Sequence, residues 1–233
     1  MARFLLLHSP LVGPRTLSPL AYALNDLGHS AAVPDLRAAV SPNGPDHSIL
    51  RALARQALLD TQPQEPLIIC THSGAGHYLP IVAPAVQPQG LALIDAVLPP
   101  QSGTVTPSAE FRAELDGLVE ADGHLPPWSQ WWGEHELARL LPDADLRAAI
   151  REECPRLPLS FYDAVLEVPD GWARPWASYL RLSEAYEATA VAAAARSWPV
   201  RRRDGSHLDT ATHPYQVAGD LMELVRPILD THK

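Results

Sequence analysis

Cysteine is scarce in this 233-residue chain, and the two cysteines present exclude two common kinds of site. Cys70 and Cys154 lie far apart and lack the close spacing of a zinc site or a redox pair. Such low cysteine use is typical of proteins in a reducing cytoplasm. We therefore predict a cytoplasmic protein with no metal site, and nothing else in the chain implies a cofactor.

Basic residues are fewer than acidic residues. The chain has 18 Lys and Arg residues against 27 Asp and Glu, which gives a net charge of −9 and an isoelectric point near 5.5. This balance argues against nucleic acid or an anionic membrane as the main partner. The apolar run in the amino-terminal stretch MARFLLLHSP is too short for a signal peptide or a membrane span. We expect a soluble protein with a small-molecule partner, and the sequence carries no prediction of its oligomeric state.

Short apolar runs that alternate with helical patterns are what the sequence does contain. The runs at 3–8, 66–70 and 90–95 are continuous, which is typical of parallel strands buried on both faces. The alternation returns with a strand at 177–183 and a closing helix at 213–229. The other predicted elements are strands at 30–37 and 198–203 and helices at 16–30, 47–62, 74–86 and 185–196. The order predicts an α/β protein with a mainly parallel sheet and helices on both faces.

The alternation breaks after Pro99, where short helical segments are separated by prolines. We expect residues 99–175 to be a helical lid inserted into a core formed by 1–98 and 176–233. Five of the six tryptophans lie between Trp128 and Trp176. The cluster of Trp128, Trp131 and Trp132 fits an apolar or aromatic substrate pocket, although tryptophans in a small lid more often form the lid's own core.

The stretch THSGA at 71–75 follows one predicted strand and precedes a helix. It fits the pattern of a nucleophile elbow, in which a serine sits on a sharp turn between small residues. Here Thr71 and Ala75 stand where glycines are usual. The pattern predicts that Ser73 is a nucleophile; the alternative is an ordinary serine in a glycine-rich loop.

A base for such a serine is available in the stretch DGSHLD. His207 there follows the last predicted strand and precedes the last helix, at the edge of the sheet where ligands bind in open α/β folds. The order of serine, acid and histidine along the chain matches one of the known triad orders. We expect His207 to be the base, and we expect His72 and His77, which flank Ser73, to point away from the site.

Four stretches together resemble the α/β-hydrolase superfamily: LLLHSPLVGPRTLSPLAYALNDLGHSAAVPDLR, THSGAG, LALIDAVLP and GSHLDTATHPYQVAGDLMEL. The chain looks most like the small, lidded esterase and hydroxynitrile-lyase-like members. The resemblance covers residues 3–97 and 177–229 and leaves the intervening segment undetermined. It implies an α/β-hydrolase fold, with Ser73 as nucleophile and His207 as base.

The acid of the triad has two candidates. By the resemblance, the acid usually follows the penultimate strand, but the stretch RLSEAYE has Ala185 at that position. Glu184 lies one residue away. The second usual place is the end of the strand after the nucleophile helix, where Asp95 lies. We prefer Asp95 and keep Glu184 as the alternative.

The oxyanion hole is where the chain departs most from the family pattern. The resemblance implies two backbone N–H donors, one from Gly74 and one from the loop after the first strand. That loop reads HSPLVGP, and the expected donor position is Pro10, which has no N–H. The sequence leaves four explanations open: the Leu11 N–H replaces the missing donor, the Ser9 hydroxyl replaces it, the site stabilises no ordinary oxyanion, or the stretch HSP is simply a tight turn.

Three functions are therefore open. The first is a serine hydrolase that cleaves a small ester, thioester or lactone through an acyl-enzyme. The second is a lyase or cyclase of the same fold in natural-product metabolism, which Pro10 motivates. The third is a ligand-binding protein on a hydrolase scaffold that has lost its activity.

Overall fold

The computed structural model describes residues 1–231, and a six-stranded parallel sheet forms its centre. The strands are, in chain order, β1 Arg3–Leu7, β2 Ser30–Ala32, β3 Val40–Ser41, β4 Gly44–Pro45, β5 Leu67–Ser73, β6 Gly90–Ala96, β7 Gly103–Val105, β8 Leu166–Val168, β9 Trp176–Arg181 and β10 Val200–Arg202. The central sheet has the order β10-β9-β6-β5-β1-β2. β3 pairs with β4 and β7 with β8, each as a small antiparallel pair. The structure confirms the predicted α/β class.

Helices cover both faces of the central sheet. They are α1 Ser18–Asp26, α2 His47–Gln56, α3 Leu79–Val86, α4 Ala109–Leu118, α5 Gly133–Leu140, α6 Ala144–Glu153, α7 Glu187–Ala195, α8 Asp209–Thr212 and α9 Pro214–Thr231. Residues of α1 and α9 pack on one face, and residues of α2, α3 and α7 pack on the other. In β1, Leu5 and Leu7 face one core cluster, whereas Phe4 and Leu6 face the other. Burial on both faces is why the strand reads as an unbroken apolar run.

Two predicted elements differ from the structure in a way that has a physical cause. The strand predicted at 30–37 ends at Ala32, because it lies at the edge of the sheet and Pro34 cannot donate to a ladder. The helix predicted from Gly74 begins as a 3₁₀ turn over Gly74–Tyr78 and becomes α-helical at Leu79. The tight turn after the serine explains this start.

The segment between β6 and β9, residues 97–175, holds α4, α5, α6 and the β7–β8 pair. Its apolar side chains contribute to two small clusters, one around Trp128 and Leu137 and one around Leu115. The first cluster also includes Leu208, which follows His207, so the segment packs directly on the sheet edge that carries the candidate base. Within residues 1–231 no helix is long and apolar enough to cross a membrane.

Candidate active site

Ser73 is the last residue of β5 and adopts a strained backbone conformation, with φ 58° and ψ −131°. Few residues other than glycine adopt a positive φ, so this turn is held in place by its surroundings. Thr71 and Ala75 are fully buried on either side of the turn. A Cβ added to Gly76 would lie 1.9 Å from the carbonyl oxygen of Val97. The small residues around Ser73 are therefore required by close packing against β6 and the chain that follows it.

Asp95 lies at the carboxyl end of β6 and holds the ring of His207. The Nδ1–H of His207 donates to Asp95 Oδ2 at 3.1 Å. The carboxylate also accepts hydrogen bonds from the Leu182 N–H at 2.6 Å and from the hydroxyl of Ser183 at 2.5 Å. The Asp95 side chain is fully buried, and all of its partners are donors.

These donors decide the charge of Asp95. Burial acts to raise its pKa, but the hydrogen bond from His207 and those from Ser183 and Leu182 together outweigh burial and lower it. Asp95 is therefore ionised at neutral pH. Because the carboxylate accepts the hydrogen on Nδ1, the neutral imidazole of His207 carries its free lone pair on Nε2. That nitrogen is the one a general base would use.

Glu184, the alternative acid, lies elsewhere. It begins a 3₁₀ turn over Glu184–Tyr186, and its side chain is exposed to solvent. Within residues 1–231 the carboxylate that contacts His207 is that of Asp95. The sheet order explains the difference, because β6 lies between β5 and β9 and so delivers Asp95 beside the loop of His207.

Two aromatic rings stack on the His207 imidazole. The ring of His72 lies 4.4 Å away between centroids, and its Nε2–H donates to the backbone oxygen of His207 at 2.8 Å. Burial lowers the pKa of His72 to about 3, so it is neutral. The ring of Tyr186 lies 5.0 Å away and is parallel to the imidazole within 4°. The expectation that His72 and His77 point away from the site is wrong: β5 directs His72 toward the loop that carries His207, and His77 lines the cavity beside Ser73.

Tyr186 also reaches the nucleophile. Its hydroxyl lies 3.5 Å from Ser73 Oγ. Within residues 1–231 this contact is the one hydrogen bond of the Ser73 side chain. Neither Tyr186 nor the contact of Ser183 with Asp95 was predicted from the sequence. The available signal was the stretch RLSEAYE, which follows β9 at the position where an acid was expected.

The loop after β1 packs against the first residue of the turn that follows Ser73. A Cβ added to Gly74 would lie 3.2 Å from Ser9 Oγ and 3.3 Å from the Cδ of Pro10. The Leu11 N–H donates to Ser9 Oγ at 3.4 Å, so the amide of Leu11 is directed at that hydroxyl. The Ser9 hydroxyl accepts this bond and keeps its own hydrogen for another acceptor.

His8 holds this loop in place through two hydrogen bonds. It is fully buried, its Nδ1–H donates to the Ser9 carbonyl at 2.8 Å, and its Nε2 accepts from the Leu36 N–H at 2.9 Å. Burial is the main cause that lowers the pKa of His8 to about 4. The ring is therefore neutral at physiological pH, which matches its one donor and one acceptor role.

A cavity of about 530 Å³ opens above Ser73. Its walls are mostly apolar, and much of its lining comes from the 97–175 segment. Of the predicted site residues, those that line it are Ser9, Leu11, Ser73, Gly74, Trp128, Trp131, Trp132 and His207. Trp128 is buried, whereas Trp132 is 47% exposed at the rim. Within the described residues no group of His, Cys, Asp or Glu could hold a metal ion.

No protein-family model matches the chain, and no curated protein matches it in sequence. Solved structures do match it in fold. An extracellular α/β-hydrolase from a Paenibacillus species, described as homologous in structure and function to tobacco salicylic acid binding protein 2, is 17% identical, with a TM-score of 0.72 over 96% of this chain and 99% of its own.

Two further structures are similar over nearly their whole lengths. A variant of tomato methylketone synthase I complexed with β-ketoheptanoate is 14% identical, with a TM-score of 0.72 over 100% of this chain and 98% of its own. Polyneuridine aldehyde esterase is 15% identical, with a TM-score of 0.70 over 96% of this chain and 98% of its own. Together with the sheet order and the turn at Ser73, these similarities identify the architecture: the chain has the α/β-hydrolase fold.

Proposed function

We propose that this protein is a serine hydrolase that cleaves a small ester, thioester or lactone. One observation carries the proposal: Ser73 stands on a strained turn at a cavity it shares with His207, whose Nδ1–H is held by the buried, ionised Asp95. A nucleophile, a base and an orienting acid are the groups that acyl transfer needs. Polyneuridine aldehyde esterase, which shares the fold, is an esterase by name.

The proposed reaction has two halves. Ser73 Oγ attacks the acyl carbon while its proton passes to Nε2 of His207, and the tetrahedral intermediate then expels the leaving group, which takes that proton. Water next attacks the acyl-enzyme with His207 again as base, and the acid product leaves as Ser73 regains its proton. Asp95 keeps its negative charge throughout and stabilises the imidazolium that forms twice in each cycle.

The oxyanion would be held by two unlike donors. We infer that the Gly74 N–H supplies one and the Ser9 hydroxyl the other, because Pro10 has no N–H and the Leu11 N–H is directed at Ser9 Oγ. The position of Ser9 Oγ beside Gly74 supports this pairing. His8, which binds the Ser9 carbonyl, would hold the donor in place.

The cavity supports a substrate with an apolar or aromatic acyl group. A volume near 530 Å³ with mostly apolar walls suits a small ligand that is largely enclosed. Trp128, Trp131 and Trp132 would contact the substrate, with Trp131 fixed by the hydrogen bond from its Nε1–H to the Pro126 carbonyl at 2.9 Å. We further propose that residues 99–175 act as the lid of this cavity.

A fluorophosphonate probe tests the proposal directly, because it reacts only with an activated serine. We expect the wild-type protein to be labelled and Ser73→Ala to be unlabelled. Ser102→Ala is the matched control, since Ser102 is exposed and outside the cavity lining. Absence of labelling in the wild type, or equal labelling of Ser73→Ala, would show that Ser73 is not an activated nucleophile and would favour a ligand-binding role.

A lyase or cyclase is the second candidate, and Pro10 is the observation that favours it. If the Ser9 hydroxyl does not donate, the Gly74 N–H is left as the single oxyanion donor, which would slow ester hydrolysis by about 10²–10³-fold. Proton transfer through His207 would remain available. Hydrolysis of 4-nitrophenyl acetate and butyrate separates the two. A protein that is labelled by the probe but turns over neither ester would fit the lyase or cyclase better.

A further inference from the structure

Tyr186 occupies a position that the proposed triad mechanism does not use. Its hydroxyl lies 3.5 Å from Ser73 Oγ, and its ring is stacked on His207 with 5.0 Å between centroids. It also lines the substrate cavity. One side chain thus contacts both the attacking atom and the base that must later protonate the leaving group.

The phenol of Tyr186 keeps its proton at neutral pH. Burial raises its pKa, the negative charge of Asp95 raises it further, and the hydrogen bond with Ser73 opposes them without reversing the direction. A neutral phenol can donate one hydrogen bond. Tyr186 is therefore poised to donate to whatever oxygen comes next to Ser73 Oγ.

When an ester reacts, two of its oxygens lie next to Ser73 Oγ. Both are bonded to the acyl carbon that Oγ attacks, so each is two covalent bonds from Oγ in the tetrahedral intermediate. One is the oxyanion, for which Gly74 and Ser9 provide donors from two other parts of the chain. The other is the leaving-group oxygen, which must lie close to His207 to receive its proton. Tyr186 is stacked on that same imidazole.

We propose that Tyr186 is a catalytic residue whose hydroxyl donates a hydrogen bond to the leaving-group oxygen. This inference rests on the proposed hydrolase function and extends it to the choice of substrate. Before attack, the phenol is hydrogen-bonded with Ser73 Oγ; once Oγ has bonded to the acyl carbon, the phenol hydrogen turns to the leaving oxygen.

The step balances without a second proton transfer. As the bond between the acyl carbon and the leaving oxygen breaks, its electron pair goes to that oxygen, and the proton held on His207 Nε2 moves to it. Tyr186 keeps its own proton and stabilises the negative charge that develops on the oxygen. No further reactant is needed.

The consequence is a preference among leaving groups. A hydrogen bond is worth most where the leaving oxygen carries the most negative charge, which is the case for unactivated alcohols. Sulfur is a weaker acceptor than oxygen. We therefore infer that the natural substrates are oxygen esters of unactivated alcohols rather than activated aryl esters or thioesters.

Tyr186→Phe tests the role, because it removes the hydroxyl and keeps the ring that stacks on His207. The measurement is kcat/KM, which reports acylation, for the 4-nitrophenyl, phenyl and ethyl esters of one acid. We expect a loss below about tenfold for the 4-nitrophenyl ester and of about 10²-fold for the ethyl ester. A role limited to packing would not change with the leaving group.

The control is Tyr22→Phe, which removes an exposed tyrosine hydroxyl away from the cavity and should leave all three rates unchanged. Circular dichroism and fluorophosphonate labelling verify that Tyr186→Phe is folded and has an active serine. Equal losses for the three esters, or no loss, would refute the leaving-group role while the hydrolase proposal stands. A wild type that hydrolyses none of them would refute both proposals.

Discussion

Replacing Asp95 by asparagine is the most informative single change in the site. The carboxylate accepts hydrogen bonds from Leu182, Ser183 and His207, whereas an asparagine has one acceptor oxygen and an NH2 group that only donates. If the asparagine oxygen keeps the Leu182 N–H, its NH2 group faces Nδ1 of His207. The imidazole must then accept at Nδ1 and carry its hydrogen on Nε2.

That tautomer cannot accept the proton of Ser73, so the main expected effect is a fall in kcat rather than in stability. The same substitution in serine proteases lowers kcat by about 10⁴-fold, which corresponds to about 5 kcal/mol of transition-state stabilisation. We expect a loss of similar size here. The free energy of unfolding should fall by only about 1–3 kcal/mol. The loss of one acceptor oxygen destabilises the folded state, and removal of a buried charge partly offsets that loss.

The assay is steady-state hydrolysis of 4-nitrophenyl butyrate, with thermal unfolding measured on the same samples. Glu184→Gln is the matched control, since Glu184 is the other candidate acid and its exposed side chain does not touch His207. We expect its kcat to equal that of the wild type. If Asp95→Asn keeps more than about a tenth of kcat, against the 10⁴-fold loss expected for a triad acid, or if Glu184→Gln loses most of its activity, the assignment of Asp95 fails.

Three other predictions concern the oxyanion site, the turn and the buried histidine. Ser9→Ala should lower kcat by about 10²-fold with little change in KM, as expected for an oxyanion donor, and unchanged kcat would exclude that role. Gly76→Ala should lower the free energy of unfolding by about 3 kcal/mol in urea titrations, because its Cβ would clash with the Val97 carbonyl. Gly117→Ala, in the open on α4, should instead be neutral or slightly stabilising; a small effect at both sites would contradict the packing argument. His8 has a pKa lowered from 6.5 to about 4, so in this range it binds a proton in the unfolded state and not in the folded state, and the contribution of His8 alone should lower stability by about 3 kcal/mol as the pH drops from 6.5 to 4. Urea unfolding of His8→Gln, which cannot titrate, should show a weaker dependence over the same range, and an identical slope would show that His8 is not the cause.

Local patterns were enough for the fold because its main elements are made by local physics. β1, β5 and β6 are interior strands of a parallel sheet. Because they are buried on both faces, they appear in the sequence as continuous apolar runs. The turn at Ser73 needs small neighbours, and Thr71 and Ala75 show this in the sequence. The edge strand β2 was predicted too long, because an edge position and the stop at Pro34 are not visible as a change in hydrophobicity.

Local sequence patterns were sufficient to predict an α/β chain with a serine on a strand-to-helix turn and a histidine after the last strand. The choice of the carboxylate that holds this histidine depends on how distant strands pack. Asp95 and His207 are 112 positions apart, and no spacing rule relates them until the sheet order places β6 between β5 and β9. The stacking of Tyr186 on His207 and its contact with Ser73 likewise exist only once three separate loops meet at one edge of the sheet. Contacts of this kind depend on packing between distant segments, which leaves no periodic trace in the chain.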